Sequence, residues 1–508
     1  MTPCIDPPRI LNASHVAIAT GFHGYCATPP FSPAEAPPEY PFPPGTTQNE
    51  PNVAYEGVRE ALRLCGLNAA EYGQANWNPL KDIVRPGDAV VLKPNFVRDF
   101  RETQPGDGDC LITHGSVIRA VADYVFLALR GEGRIIVADA PQNDADFDRI
   151  RAITGLDAIQ EFYRRHAGFE LEVCDLRPER AKKIDGVIVG HTPLPGDPRG
   201  YVRVNLGEHS MFAEVEHLCH LLYGSEYDRG ELHAHHRDGV HEYLISKTVL
   251  EADVVIGLPK LKTHKKVGLT VNLKNLVGIN GNKNWLPHHR EGTPSQGGDQ
   301  FPDDRLRSRV ERRVVDGFKR VFPALGPLRP LVAGPVKAAG KAIFGDTNKG
   351  TIRSGNWYGN DTTWRMVLDL NRILLYADSS GRLQPQPVRR FFSLVDGIVA
   401  GEGNGPLDPT PKQAGVILAG ANPVAIDLAC ATLTGFDSRR LPMLHRAFDS
   451  SRLPLVIFGT NDVTLQSNDP SLSLPIRCLT GAPLHFRPSP GWQGAVECMD
   501  SAVPEPNV

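Results

Sequence analysis

The sequence predicts an α/β protein of two lobes, with parallel, doubly wound sheets, a cleft between the lobes and a helical insertion. Short apolar runs recur between segments of helical spacing, which is typical of parallel sheets covered on both faces. At 508 residues the chain exceeds the size at which a single core usually stops growing. Its 49 glycines and 44 prolines supply the many turns that such a fold needs.

Four apolar runs are predicted to be buried parallel strands, because connections long enough for helices separate them. They span residues 90–97, 134–140, 253–258 and 391–397. Helical spacing of the apolar residues is clear in EGVREALRLCGL, SVIRAVADYVFLAL and TTWRMVLDLNRILLYAD. The alternation of strand and helix along the chain therefore predicts the α/β class.

Changes in composition set the predicted domain boundaries. Residues 1–49 form a Pro-rich arm, and its ATPPFSPAEAPPEYPFPPGT segment favours an extended course over the surface. The first lobe covers 50–250. The second covers 251–300 and 355–440, with a helical insertion at 301–354 and a C-terminal extension at 441–508.

Composition disfavours several classes of protein. A net charge of -3 argues against a nucleic-acid partner. Nine cysteines contain no CxxC pair, so no iron–sulfur cluster is expected. No segment approaches the roughly 20 apolar residues of a membrane span, and the N-terminus lacks a signal-peptide pattern. We expect a cytoplasmic protein, and the sequence leaves a homo-oligomer open.

One basic stretch, LPKLKTHKKVGLTVNLKNLVGINGNKNWLPHHR at 258–290, contains six lysines and no acidic residue. A solvated lysine-rich helix would carry interspersed acids, whereas these lysines alternate with apolar residues. Lys274 lies inside an amphipathic segment, where an unpaired charge is costly. The pattern therefore favours a buried cationic site for a carboxylate, a phosphate or a polarised carbonyl over a surface patch.

Polar side chains also follow the predicted strands at their carboxyl ends, where ligands of open parallel sheets bind. The turn after Gly268 is expected to aim the amides of the next helix at the anion. The predicted catalytic residues are Lys274, His264, His288 and His289. The predicted substrate-binding residues are Lys93, Asn95, Asp139, Lys260, Lys262, Asn275, Lys283, Asp396, Glu402 and Asn404.

The segment HAHHRDGVH supplies candidate metal ligands, since imidazole binds zinc, nickel and copper. The candidates are His233, His235, His236 and His241. Its Arg, Asp and Gly residues favour an exposed turn instead, and no fixed ligand spacing is present. The metal is therefore unknown, and a divalent ion is left open.

Six motifs occur in order between about residues 90 and 437. They are VVLKPNFV, ITHGSVIRAVADYV, RIIVADAP, ADVVIGLPKLKTHKKVGLTVNLKNLVG, DGIVAGEGNGP and ILAGANPVAIDLACATLTGFD. Together they resemble the family catalogued as domain of unknown function 362. Many members of that family carry a ferredoxin-like cysteine module that implies redox work, and this sequence has no such cysteines.

A more distant similarity is to the nickel-pincer lactate racemase family. His264, Gly268 and Lys274 repeat the spacing of a motif in that family, and His288 and His289 follow downstream. The resemblance implies two α/β lobes around a cleft, a lysine that holds the cofactor covalently, and histidines that act as metal ligand and as acid or base. The Gly-Gly that precedes this lysine in the family is replaced here by Val-Asn-Leu.

The predicted function is that of an enzyme acting on a small anionic metabolite, carboxylate- or phosphate-bearing, by proton or hydride transfer in the inter-lobe cleft. This corresponds to a racemase-like isomerase or an oxidoreductase. The alternative is a non-catalytic anion- or saccharide-binding protein of an envelope or biosynthetic pathway. Catalysis requires a histidine that titrates near neutrality within reach of the ligand, whereas binding requires only the lysines.

Overall fold

A central sheet organises the protein, whose computed structural model describes residues 7–102, 108–184, 187–224, 230–305 and 352–498. The strands in the described ranges are β1 (His15–Thr20), β2 (Ala89–Pro94), β3 (Arg134–Asp139), β4 (Leu171–Asp175), β5 (Glu179–Ile184), β6 (Val187–Pro193), β7 (Tyr201–Asn205), β8 (Leu222–Tyr223), β9 (His236–Arg237), β10 (Val240–Ser246), β11 (Val254–Leu258), β12 (Lys260–His264), β13 (Gly268–Thr270), β14 (His289–Arg290), β15 (Arg390–Glu402), β16 (Thr410–Gly420) and β17 (Thr464–Ser467).

Ten of these strands belong to the central sheet, in the order β17-β1-β16-β15-β11-β2-β3-β4. Strand β12 pairs with β15 and with β13 beyond the end of β11. The core from β15 to β4 is parallel, and Val254 of β11 pairs with both Val90 and Arg390. Strand β16 runs antiparallel to its neighbours β1 and β15.

Helices cover the sheet, and polar caps fix where several of them begin. The α-helices in the described ranges are α1 (Val53–Leu64), α2 (Gly115–Leu129), α3 (Phe147–Ile153), α4 (Leu156–Ala167), α5 (Gly230–His235), α6 (Lys247–Leu250), α7 (Asn272–Asn275), α8 (Thr363–Tyr376), α9 (Pro423–Thr434) and α10 (Pro442–His445). Helix α9 starts where the Asn422 side chain accepts from two backbone N–H groups and Pro423 fixes the first turn.

Two apolar cores lie on opposite faces of the sheet, because side chains alternate along each strand. Val91 and Val255 belong to one core, together with helices α8 and α9. Val90, Val254 and Ile256 belong to the other, together with α1 and α2. Burial on both faces explains why these strands read as unbroken apolar runs in the sequence.

The predicted α/β class and the parallel core of the sheet are confirmed. All four predicted strands are present as β2, β3, β11 and β15, and they are parallel. Strands assigned to the two predicted lobes are direct neighbours in one sheet, so the sheet continues through the boundary at residue 250. The predicted lobe limits themselves stay predictions.

The two terminal segments contribute to the fold in a way that the sequence did not predict. Strand β1 lies inside the sheet, between β16 and β17 of the C-terminal region. The Pro-rich arm was expected to stay on the surface, but its Phe31 and Phe42 are buried in the core that contains α1 and α2. Aromatic residues between the prolines bury apolar area that an extended surface arm would expose.

The predicted insertion at 301–354 lies almost entirely outside the described residues. Its helical character therefore stays a prediction. Among the helices of the described ranges, none has the length and apolar character to cross a membrane.

Candidate functional site

A cavity of about 630 Å³ opens at the carboxyl ends of β2 and β3, which is the expected ligand position in a parallel sheet. Among the described residues its wall carries six lysines, one arginine, three histidines and a single acid, Asp139. The charged and imidazole side chains of the wall are Asp139, Lys183, Lys262, His264, Lys265, Lys266, Lys274, Lys283, His288, His289 and Arg353. This excess of positive charge suits an anionic ligand.

The cavity wall contains nine of the fourteen predicted catalytic and substrate-binding residues. They are Lys274, His264, His288, His289, Asn95, Asp139, Lys262, Asn275 and Lys283. Lys93 lies directly behind the wall, where its Nζ atom is 2.7 Å from Oδ1 of Asp139. The sequence therefore selected residues that the fold brings together, and their individual roles stay predictions.

The other predicted binding residues lie elsewhere. Lys260 and Asp396 form a fully buried ion pair at 2.7 Å, which the hydroxyl of Tyr25 joins from the Pro-rich arm. Glu402 accepts a hydrogen bond from the backbone N–H of Arg487. Glu402 and Asn404, like the Lys260 pair, do not line the cavity. Asp396 was predicted to follow a strand end, but it lies inside β15, which continues to Glu402, and Lys260 is the first residue of β12.

The hairpin of β12 and β13 carries the first part of the cationic wall. His264 pairs with Gly268 across the turn, and Gly268 has a φ of +79°. A β-carbon there would lie 2.3 Å from Cδ2 of Leu441, so both the backbone angle and the space require glycine. The turn places Lys265 and Lys266 beside His264 at the cavity.

The turn of α7 carries Lys274, and Asp427 of α9 holds this turn in place. The carboxylate of Asp427 accepts from the backbone N–H groups of Asn272 and Leu273 at 2.9 and 3.0 Å. The amides expected to face the anion therefore bind Asp427 instead, which corrects that prediction. Burial raises the pKa of the Asp427 carboxyl to about 7, although these hydrogen bonds favour its ionised form.

Lys274 differs from the other lysines of the wall in its partners. Lys262 donates to Asn95 and the carbonyl of Leu111, and Lys283 donates to the carbonyls of Val277 and Asn280. Lys266 donates to the carbonyl of Ser354. The ammonium group of Lys274 has no hydrogen-bond acceptor or ion-pair partner among the described residues, and its side chain lines the cavity. It is the cation of this wall best placed to bind a ligand.

Burial lowers the pKa of several of these lysines. The pKa of Lys274 falls to about 8 because of burial and then of the charge on Lys93. Burial, together with the charge of neighbouring lysines, lowers the pKa of both Lys266 and Lys283 to about 7. At pH 7 an amine with a pKa of about 7 is half neutral, and a bound anion favours its charged form.

Hydrogen bonds fix the tautomers of two cavity histidines. The Nδ1 atom of His264 accepts from the backbone N–H of Lys266 at 3.0 Å, so the proton of the neutral ring is on Nε2. The Nδ1 atom of His288 lies 2.8 Å from the carbonyl oxygen of Leu286. Because a carbonyl only accepts, Nδ1 of His288 carries the proton and its Nε2 has a free lone pair.

Both rings are neutral near pH 7. Burial, followed by the charge of Lys274, lowers the pKa of His264 far below its usual value. Burial and then Lys266 lower the pKa of His288 to about 3. The expectation of a histidine that titrates near neutrality is therefore not met by the protein groups alone. His264 is a neutral donor, and His288 is a neutral acceptor.

The histidine loop has a different environment from the one predicted. His236 and His241 are fully buried, not exposed on a surface turn. His235 stacks on Trp285 at 3.4 Å and contacts Glu242, while His233 contacts the carbonyl of Leu222. An exposed turn was expected from the charged residues around them, but strands β9 and β10 turn the two rings inward.

Sequence reasoning missed several residues that line or support the cavity. Lys266 belongs to the same basic stretch, so its position next to His264 was the available signal. Asp427 is 154 residues from Leu273 along the chain, and its only signal was a single acid in the apolar helix PVAIDLACATLT. Lys183, Tyr223 and Arg353 come from segments with no motif of their own.

Comparison with known proteins identifies the family. The family model described as domain of unknown function DUF362 matches residues 172–432. The chain belongs to the DUF362 family. Its match to the thylakoid-associated protein sll1697 of Synechocystis sp. is 23% identical over 277 residues. That match covers 53% of this DUF362 protein and 60% of the relative, so the chain spans less than two thirds of the relative's length.

Solved structures give a more distant likeness. The lactate racemase apoprotein from Thermoanaerobacterium thermosaccharolyticum aligns with a TM-score of 0.31 and 10% identity, over 75% of this chain and 55% of that one. A structural-genomics protein from Thermotoga maritima aligns with a TM-score of 0.31 and 11% identity, over 74% and 58%. At these TM-scores neither likeness bears on the function of this chain.

The hydrogen bonds of His264 test whether the site suits the nickel-pincer cofactor of that racemase family. A metal ligand must present a lone pair, and the Nε2 atom of His264 carries the proton while Nδ1 is occupied by Lys266. His264 therefore does not fit a ligand role in this arrangement. No step of the function proposed below depends on the pincer group.

Proposed function

We propose that this DUF362 protein is an enzyme that binds a small carboxylate- or phosphate-bearing metabolite in the cationic cavity and moves a proton to or from it. The observation that carries the proposal is the unpaired ammonium group of Lys274, on the same cavity wall as two neutral histidines of opposite tautomer. A binding protein needs the lysines, but it does not need this donor and acceptor pair.

Each group has a chemical role in such a reaction. Lys274 binds the anionic group, because no acceptor among the described residues competes for its charge. The Nε2–H group of His264 donates a hydrogen bond to an oxygen on which negative charge develops, and a neutral imidazole can do this without losing its proton. The Nε2 lone pair of His288 accepts the proton, and the negative charge of a bound substrate raises its pKa toward the working range.

The cavity volume is consistent with a metabolite-sized substrate, since small-molecule sites occupy about 300–1,000 Å³. The buried lysines add to the driving force for binding. Each is partly neutral in the ligand-free protein, so an anion that enters is bound together with protons. The cytoplasmic location and the open question of a homo-oligomer stay predictions from the sequence.

Exchange of carbon-bound hydrogen in D₂O tests the proposal without knowledge of the product. The protein is incubated with a panel of carboxylates and phosphorylated metabolites, and proton NMR follows the loss of C–H signals. We expect one class of compound to exchange, and we expect His288→Asn to abolish exchange while retaining binding. Asparagine can preserve the hydrogen bond to Leu286 and removes only the Nε2 lone pair.

The matched variant is His264→Asn, whose Oδ1 can still accept from the N–H of Lys266. We expect it to slow exchange, because the oxyanion loses one donor, a change that typically lowers kcat about 10²–10³-fold. Tight binding of an anion without exchange in the native protein, unchanged in both variants, would instead identify a non-catalytic anion-binding protein.

A further inference from the structure

A second group of chemically reactive side chains lies outside the cavity wall. Glu216 and Cys219 belong to the 3₁₀ helix Ala213–Leu221, and His241 belongs to β10. One ligand atom from each of the three lies within 4.8 Å of the other two. None of these residues lines the anion cavity, so the function proposed above does not use them.

The imidazole of His241 is buried without a satisfied hydrogen bond. Its Nε2 atom is 2.9 Å from a carboxylate oxygen of Glu216, but the contact does not have the direction of a hydrogen bond. Its Nδ1 atom has no acceptor or donor among the described residues. Fully buried polar atoms nearly always have a partner, so this ring is oriented for one that the described residues do not provide.

The neighbouring imidazole of His236 is also fully buried and has one ring nitrogen without a partner among the described residues. The Nε2 atom of His236 lies 2.8 Å from the carbonyl of Trp285, so Nε2 carries the proton. Its Nδ1 atom is then a free lone pair, with no hydrogen-bond partner in the described part of the chain. The rings of His236 and His241 are 6.0 Å apart. A ring nitrogen held unprotonated in this way is the form that binds metals.

We propose that Glu216, Cys219 and His241 bind a divalent transition-metal ion, with zinc the best match, and that the free Nδ1 of His236 is a candidate for the fourth position. Thiolate, imidazole and carboxylate form a typical zinc ligand set, at about 2.0–2.3 Å from the ion. Binding replaces the thiol proton of Cys219, which is released to solvent, with a sulfur–metal bond. The thiol now points to the carbonyl of Val215 at 3.8 Å, a weak contact that is easily lost.

The place of the site in the fold indicates a structural role. The 3₁₀ helix Ala213–Leu221 leads directly into β8, and β8 pairs with β14 through Tyr223 and His289. Both of these side chains line the anion cavity. An ion shared with β10 therefore fixes the segment that supports this wall. The proposal is independent of what the cavity binds.

Zinc titration of the full-length chain tests the site. Protein stripped by a chelator is titrated against a chromophoric zinc competitor, and bound metal is measured by mass spectrometry. We expect one zinc ion per chain in the native protein and a higher melting temperature with zinc. Cys219→Ser should weaken zinc binding by at least about 100-fold, because even residues that only orient ligands contribute about 10–100-fold.

Two further variants keep the test decisive if Cys219→Ser does not fold. Glu216→Gln keeps the shape of a partly exposed side chain and should still lower zinc affinity. His220→Ala is the control, because His220 lies in the same 3₁₀ helix but is exposed and should bind zinc as the native protein does. With cobalt, a thiolate charge-transfer band should appear in the native protein and be absent in Cys219→Ser. The proposal is wrong if the native protein binds no zinc, or if Cys219→Ser, Glu216→Gln and His220→Ala all match it.

Discussion

Gly278 lies directly against the carboxylate of Asp139. A β-carbon added to Gly278 would lie 1.8 Å from Oδ1 of Asp139 and 2.6 Å from Nζ of Lys93. Those two charged groups are paired at 2.7 Å, and both are almost fully buried. The backbone at residue 278 therefore closes the space over a buried ion pair at the cavity wall, and any side chain there would separate the pair.

Gly278→Ala should destabilise the protein by about 2–5 kcal/mol, because the added methyl group displaces one partner of a buried charge pair. Urea unfolding monitored by circular dichroism measures the change. Gly190→Ala is the matched control, since a β-carbon at Gly190 meets no atom within 4 Å. Equal loss of stability in the two variants would contradict the steric role of Gly278.

Lys274→Met should stabilise the ligand-free protein at pH 7 by about 1–3 kcal/mol, because it removes a partly buried charge that has no partner among the described residues. The pKa of Lys274 is about 8 in the folded protein, below the ordinary lysine value of 10.5, so the unfolded chain binds more protons between these two pH values. The lysine's contribution to stability therefore rises with pH, and the advantage of methionine should shrink from pH 8 upward. Denaturant unfolding at several pH values measures the gain in unfolding free energy and its change with pH. Lys247→Met, at a partly exposed lysine paired with Glu251, should show neither effect.

Affinity for an anion should fall as the pH rises above about 7. Sulfate is a suitable probe because its charge is constant in this range. It binds best when Lys266, Lys274 and Lys283 are protonated, and their pKa values in the free protein are about 7, 8 and 7. Below these values the affinity should be steady, and above them each lysine can reduce it by up to about tenfold per pH unit.

Isothermal titration calorimetry in buffers of different ionisation enthalpy would measure both the affinity and the protons taken up with sulfate. Lys274→Met should weaken binding by roughly 2–5 kcal/mol and reduce the proton uptake near pH 8. A sulfate affinity independent of pH between 6 and 9 in the native protein would mean that these amines do not contact the anion.

Asp427→Asn should weaken anion binding although Asp427 does not line the cavity. The substitution places an amide N–H group where the carboxylate now accepts from Asn272 and Leu273, so the turn that carries Lys274 must move. We expect a loss of about 1–3 kcal/mol in unfolding free energy and a weaker affinity for sulfate. Asp378→Asn, at an exposed turn, is a control that should leave sulfate binding unchanged. If Asp427→Asn binds sulfate as tightly as the native protein does, the turn does not depend on this carboxylate.

The sequence predicted the parts of this fold that depend on local pattern. Buried parallel strands such as β2 and β11 are continuous apolar runs because both faces are covered, so their pattern is visible without partners. Strand β1 was not placed in the sheet, since its pairing with β16 depends on residues about 400 positions away. Phe31 was predicted to lie on the surface but is buried, because a proline-rich segment has no hydrophobic period that would reveal burial.

The site was predictable where one stretch of chain builds it. Residues 258–290 supply Lys262, His264, Lys274 and His288, and charges alternating with apolar residues signalled their burial. The tautomers of His264 and His288 could not be predicted, because they depend on single backbone groups of Lys266 and Leu286. Lys260 was predicted to line the cavity but does not. The register shift between Lys260 and Lys262 in β12 leaves Lys262 at the cavity and Lys260 paired with Asp396.

The position of β1 has a consequence for how the chain reaches its native state during synthesis. His15 pairs with Thr464, 449 residues later, and Val16 pairs with Gly420. Strand β1 is synthesised about 400 residues before β16 and about 450 residues before β17. At about 5–20 residues per second the strand waits on the order of half a minute with its backbone hydrogen-bonding groups unpaired. Nascent chains of this protein thus depend on whatever shields that edge until the last part of the sheet emerges.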